Sequence, residues 1–239
     1  MITLDTLIIE VTRKCNMQCD HCLRGEAQRS NIDHSYITSL LENVSYISSL
    51  TFSGGEPSLN VKAIQFTLQE LVRLNIPVNN FYIVTNGSKT SMNKAFIDAC
   101  CALYRYQDDR EDIGRYILEM SDDYYHDQDL HQEVVDYLSI YTFFRVRGNN
   151  YTNDNLIKQG RQKRGRDLYV DSDLDVEFSD YDDSEFRILG DLYLNTKGLI
   201  TTNCDMSYIN QDKNHVCHVS ELMNYLDGRL KAYQLDMVS

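Results

Sequence analysis

Cys15, Cys19 and Cys22 stand at C-x3-C-x2-C spacing in a short segment, Cys15-Asn-Met-Gln-Cys19-Asp-His-Cys22. Soft thiolates select zinc, copper(I) or iron–sulfur clusters over oxygen-loving cations. A structural zinc site is closed by four ligands, and a [4Fe–4S] cube normally takes four cysteines. Three thiolates therefore leave one metal position open for a further ligand. On the zinc reading, His21 or a distant residue closes the set.

Two further short motifs share this placement after an apolar run. Gly54-Gly55-Glu56-Pro57 follows Ser49–Ser53, and Thr85-Asn86-Gly87 follows Phe81–Thr85. In this order the three motifs resemble the radical S-adenosylmethionine (radical SAM) superfamily, over roughly the first 165 residues. The resemblance implies a [4Fe–4S] cluster on Cys15, Cys19 and Cys22. It implies that S-adenosylmethionine chelates the fourth iron and is cleaved reductively to a 5′-deoxyadenosyl radical, which abstracts a hydrogen.

The cofactor-binding expectation covers nine residues. Gly54 and Gly55 lack a Cβ and let backbone approach a ligand, with Glu56 beside a cationic amino group. Thr85 and Asn86 stand within reach of a ribose or carboxylate, unless Asn-Gly is only a turn pair. Ser121 and Asp122 end a strand where the superfamily often places ribose ligands, and Ser121–His126 resembles its S-x-D-x-x-H variant. His21 takes the place of the family's usual aromatic beside adenine or cluster. Arg145 shares a strand face with Arg147 and offers a fork for a carboxylate. Gly160-Arg161 resembles a glycine–arginine element near the end of the family's barrel. No catalytic acid, base or radical relay is assigned; Cys204, Tyr208 and His126 are the candidates.

Positioning these loops takes strands that end where they begin. Thr6–Thr12, Ser49–Ser53, Phe81–Thr85, Arg115–Met120 and Tyr141–Arg147 read as strands. Between them, Ile37, Leu40, Leu41, Val44 and Ile47 fall at helical spacing behind an Asp33 N-cap. Val61 to Leu74 marks a second helix ending before Pro77, and Met92 to Leu103 a third, capped by Ser91. Leu130 to Leu138 gives a fourth. Strand–helix alternation without hairpins implies a parallel sheet. The expected fold is α/β, a partial (β/α)6 TIM-type barrel with its chemistry at the carboxyl ends of the strands.

Residues 1–170 read as that barrel and 171–239 as an extension. The extension combines an acidic linker, a hairpin turning at Gly198 and a terminal helix interrupted by Gly228. With Cys204 and Cys217 it looks like a degenerate SPASM or twitch element. Two thiolates are too few for a second cluster, and a mixed site with His215 and His218 is the zinc alternative.

The 239 residues suffice for one large core. With 23 Lys and Arg against 36 Asp and Glu, the net charge is −13, which argues against a nucleic-acid partner. No run is apolar enough for a membrane span, and the N-terminus lacks signal-peptide features. Seven cysteines without an export signal point to the cytoplasm. The expected function is radical SAM modification of a peptide or protein, with flavodoxin or ferredoxin as reductant. A glycyl-radical-enzyme activase and a small-molecule or nucleoside enzyme are the alternatives. From another class comes a zinc-stabilised binding module.

Overall fold

The computed structural model describes residues 1–107, 116–122, 128–148, 156–178 and 185–238. Among the described residues nine strands form one sheet, in the order β5-β4-β3-β2-β1-β7-β8-β9 with β6 on β7. The strands are β1 (Ile2–Thr12), β2 (Val44–Gly54), β3 (Val78–Thr85), β4 (Leu118–Asp122), β5 (Phe144–Gly148), β6 (Asp175–Phe178), β7 (Phe186–Leu194), β8 (Leu199–Thr201) and β9 (Cys217–His218). Strands β1 to β5 pair in parallel. β7 is a sixth parallel strand and lies on the far side of β1. The fold class read from the sequence is met: a mostly parallel α/β sheet of partial-barrel type.

The crossover helices are α1 (His34–Leu41), α2 (Val61–Leu74), α3 (Lys94–Tyr106) and α4 (Gln128–Leu138), followed by α5 (Tyr208–Lys213) and α6 (Leu222–Val238). One face of the sheet meets them through Leu50 and Phe52, Phe81 and Ile83, Leu118 and Met120, all buried in the main core. The alternate positions, Ser49, Thr51, Asn80, Tyr82, Glu119 and Arg145, line a cavity of about 270 Å³ instead. Parallel strands covered on both faces read as unbroken apolar runs. The polar alternation here marks a sheet whose second face borders a concavity.

Asp33 caps α1, its side chain accepting from Ser35 N at 2.8 Å. The helix stops at Leu41, however, and Val44 and Ile47 belong to β2. Ile2 pairs with Val44 and Thr3 with Tyr46, so Ser45 is an extra residue in β2. That bulge resets the alternation and puts two buried residues three apart, which mimics a helical stripe. α3 is capped by Asn93, not Ser91; the Asn93 side chain accepts from Ala95 N at 2.9 Å. Ser91 is buried and bonded to the Thr85 hydroxyl. α6 continues through Gly228 without interruption, since a glycine inside a helix costs only about 1 kcal/mol. Part of the acidic linker forms β6, and residues 179–184 of it lie outside the described residues. The hairpin is present, with β7 and β8 antiparallel around Gly198 at φ 76°.

Candidate active site

Every motif emerges at the carboxyl end of a parallel strand. Cys15, Cys19 and Cys22 follow β1, Gly54-Gly55-Glu56 ends β2, and Thr85-Asn86-Gly87 ends β3. The three cysteines line one small cavity with Gly54, Gly55 and Tyr208. A larger cavity of about 530 Å³ adjoins it, lined by His21, Ser53, Ser121, Arg147 and Arg166 among others. Cys22, Arg24, Gly54 and Gly55 border both.

The paired glycines answer a packing demand. A Cβ on Gly54 would stand 2.1 Å from Thr12 O, and one on Gly55 2.2 Å from Lys14 O. Gly54 also holds φ at 144°, which L side chains rarely adopt. The close approach pairs the end of β2 with the start of the cysteine loop: Gly55 N donates to Thr12 O at 2.8 Å and Glu56 N to Lys14 O at 2.9 Å.

Glu56 is buried and turned away from both cavities. Its carboxylate accepts from Ser58 N at 3.1 Å, the Thr85 hydroxyl at 2.9 Å and Asn86 N at 2.8 Å. Burial pushes its carboxyl above the ordinary value, against the pull of these hydrogen bonds. Glu56 and Thr85 therefore join the second motif to the third, where contact with a ligand was the expectation. Asn86 carries the connection onward, donating Nδ2 to Asn16 Oδ1 at 2.9 Å and lying 3.8 Å from Cys15 Sγ.

The remaining expectations divide. His21, Gly54, Gly55 and Ser121 line the larger cavity. Asp122 instead meets His131 Nδ1 at 3.3 Å. Arg145 is drawn to the buried carboxylate of Glu119, which the Tyr82 hydroxyl also contacts, and it does not line the larger cavity. A buried carboxylate one strand away is a closer partner for the guanidinium than a ligand at the strand ends. His126 lies outside the described residues.

Three features escaped the sequence reading. His131, on α4 and buried, contacts Asn86 O through Nε2 at 3.0 Å and packs where a Cβ on Gly87 would be. Arg13 is fully buried beside Glu10, and Glu10 also accepts from the Tyr193 hydroxyl at 2.7 Å. The Arg13 guanidinium reaches Gln211 at 3.0 Å and Asp212 at 2.9 Å on α5. Tyr208, at the start of α5, is 2 % exposed, and its hydroxyl has no hydrogen-bond partner among the described residues. On an extended strand a spacing of three puts positions 10 and 13 on opposite faces, so the sequence carries no signal of this pair, and nothing in it ties α5 to the cysteine loop.

The donor set fits a cluster. Three soft thiols face one cavity together with an orphaned hydroxyl, and buried orphans of this kind ask for a missing neighbour. Among the described residues no three His, Cys, Asp or Glu converge on a point that would hold one metal ion. A cubane needs no such convergence, because each thiolate takes a different iron. Cys204 and Cys217 line neither of these two cavities, and burial pushes their thiols up to about 12 and about 11. No helix is long and apolar enough to cross a membrane among the described residues.

Residues 8–108 match the family model described as a 4Fe-4S single cluster domain. No curated protein matches the chain. Among solved structures, BtrN in complex with AdoMet and 2-DOIA superposes at TM-score 0.54 with 13 % identity, covering 96 % of this chain and 85 % of that one. Native anSMEcpe with bound AdoMet and Cp18Cys peptide gives 0.43 and 17 %, over 60 % of this chain and 42 % of that one. Streptococcus suis SuiB bound to precursor peptide SuiA gives 0.38 and 13 %, over 84 % and 59 %. The chain spans less than two thirds of the last two, and only the likeness to BtrN speaks for the fold. The family match falls on the stretch that carries the three motifs, and the likeness to BtrN bears out the expected fold.

Proposed function

We propose that this chain, with its radical SAM fold and single-cluster domain, cleaves S-adenosylmethionine reductively and abstracts hydrogen from a peptide or protein substrate. The observation that carries the reading is the shared border of the three-cysteine cavity and the 530 Å³ cavity at Cys22, Gly54 and Gly55. A three-thiolate site has an open position, and the larger cavity is where a ligand to that position has room. Cavities of 300–1,000 Å³ are the usual size for small-molecule sites.

Cys15, Cys19 and Cys22 would hold a [4Fe–4S] cluster. When bound, cluster and S-adenosylmethionine together supply a 5′-deoxyadenosyl radical for hydrogen abstraction. Gly54 and Gly55 flank the cofactor with bare backbone, and His21 and Ser121 border it. Glu56, Thr85 and Asn86 act one layer out, fixing the second and third loops against the cysteine loop. Arg145 serves the sheet interior rather than the cofactor.

A small-molecule substrate is the second reading. The BtrN structure, of which the chain covers 85 %, holds AdoMet with 2-DOIA. The reducing power comes from a flavodoxin or ferredoxin, and the setting is cytoplasmic, in keeping with seven cysteines that form no disulfide. Anaerobic reconstitution with iron and sulfide, reduction and addition of S-adenosylmethionine tests the reading. Formation of 5′-deoxyadenosine with about four irons per chain supports it. A zinc-loaded protein without product overturns it in favour of a structural cysteine site.

A further inference from the structure

The segment Lys158-Gln-Gly-Arg161-Gln-Lys163-Arg164-Gly-Arg166 holds five cations and no acid; without them the net charge would be −18 instead of −13. Such a concentration in an acidic protein is a local inversion of its field. The segment is clamped onto the cysteine loop. Arg161 N donates to Cys22 O at 3.0 Å, and Arg161 Nε donates to Cys19 O at 3.0 Å. Gly160 passes so close that a Cβ there would stand 2.4 Å from Gly25 N and 2.7 Å from Cys22 O. The basic segment thus covers two of the three cysteines directly.

Its outer side is cationic. Lys158, Lys163, Arg164 and Arg166 are exposed. Three of the five cations have loose acidic neighbours: Lys158 with Asp167 at 3.3 Å, Arg161 with Glu26 at 3.4 Å on the groove itself, and Arg166 with Asp205 at 3.9 Å. Lys163 and Arg164 have no carboxylate partner among the described residues; the Lys163 ammonium donates to Gly160 O at 2.9 Å. Between this segment and α5 runs a groove of about 730 Å³, bordered by Lys158, Arg161, Lys163 and Ile209. Ile209 is 64 % exposed. An apolar anchor beside a charged rim is the make-up of a protein docking surface.

We infer that this basic surface docks a small acidic electron-carrier protein of the ferredoxin or flavodoxin class, which delivers one electron to the cluster held beneath it. The inference rests on the functional reading above. The carrier is oxidised by one electron and the cluster reduced by one; no bond is made or broken and no proton moves. Tunnelling weakens steeply with distance, so the carrier must seat near the cysteine loop. An acidic carrier is repelled by a −18 remainder and attracted to this segment. Redox encounters of this kind are small and salt-sensitive.

The test uses reconstituted holoprotein, a reduced acidic ferredoxin as probe, and the Lys163→Glu/Arg164→Glu double variant. Neither residue contacts a cysteine. Stopped-flow ferredoxin oxidation is expected to slow about tenfold or more in the variant at low ionic strength and to converge with wild type at high salt. Iron content and reduction by dithionite are expected to stay unchanged. Equal ferredoxin rates, salt-independent rates, or an equal loss with dithionite would overturn the docking surface. So would a variant that keeps its ferredoxin rate but loses affinity for an acidic peptide, which would give the patch to a substrate. A wild-type protein that assembles no cluster is a different result, and it removes the functional reading along with this one.

Discussion

Arg13 Nη2 donates to Gln211 Oε1 at 3.0 Å, across 198 positions of sequence. The guanidinium also meets Asp212 Oδ1 at 2.9 Å and Glu10 Oε1 at 2.7 Å, and its ring neighbour is Tyr208 at 4.7 Å. The residue two places before the first cysteine is thereby fixed by the far end of the chain. Removing Arg13 takes the ion-pair partner from the buried Glu10 carboxylate and leaves it only the Tyr193 hydroxyl and Thr196 N as donors. Arg13→Ala is expected to cost about 3–5 kcal/mol, read as a lowered urea midpoint. Gln211→Ala is expected to cost less and to reduce iron incorporation more than it reduces stability.

Glu56→Gln separates a joint between loops from a ligand contact. The carboxylate accepts three donors, two of them backbone N–H groups. An amide offers one oxygen and turns an N–H toward the rest. The expected loss is about 1–3 kcal/mol, with weaker iron retention because Asn86 is released from Cys15. A variant of unchanged melting temperature that loses only cofactor affinity would contradict this account.

Gly54→Ala is expected to prevent native assembly of the cysteine loop. The new methyl would sit 2.1 Å from a backbone oxygen at a φ of 144°. The cost is expected to exceed about 2 kcal/mol. Circular dichroism melting and iron content check it, and a soluble variant with full iron would refute it.

How much of this was legible in the sequence depends on whether the cause was local. Asp33 as a cap and the Gly198 turn were legible, because both are decided within four residues. The Val44 and Ile47 pair was misread, because the bulge at Ser45 exists only through the pairing of β1 with β2. The β7–β8 hairpin was readable from its turn, but the docking of β7 beside β1 leaves no mark in either strand. Glu56 looked like a ligand because its partners, Thr85 and Asn86, are 29 and 30 residues away. Likewise α5 has no apolar stripe: its buried residues are Tyr208 and Gln211, chosen for what they meet and not for a periodic core.

Cys19→Ala is expected to abolish cluster assembly, whereas Cys204→Ser and Cys217→Ala are expected to retain about four irons per chain. Neither C-terminal thiol lines the cysteine-loop cavities, and two thiolates are too few for a second cluster. Iron and sulfide analysis of the three variants decides it; loss of iron in Cys204→Ser would revive a second metal site.

The same thiols give a pH dependence with a definite sign. Cys217 binds its proton more tightly folded, at about 11, than at the usual 9.0. The folded state is therefore favoured below pH 9, and this contribution is lost as pH rises from 9 toward 11. Melting temperature is expected to fall across that window, and to fall less steeply in Cys217→Ala. An identical slope in both proteins would remove Cys217 as a cause.

The position of β1 between β2 and β7 has a bearing on biogenesis. On the ribosome the cysteines emerge long before β7, Gln211 and Asp212, and at about 5–20 residues per second that interval lasts many seconds. During it the loop has neither its second neighbouring strand nor its brace. Iron delivered in that window meets an unshaped site, so maturation in the cell is expected to follow synthesis of the brace rather than accompany that of the cysteines.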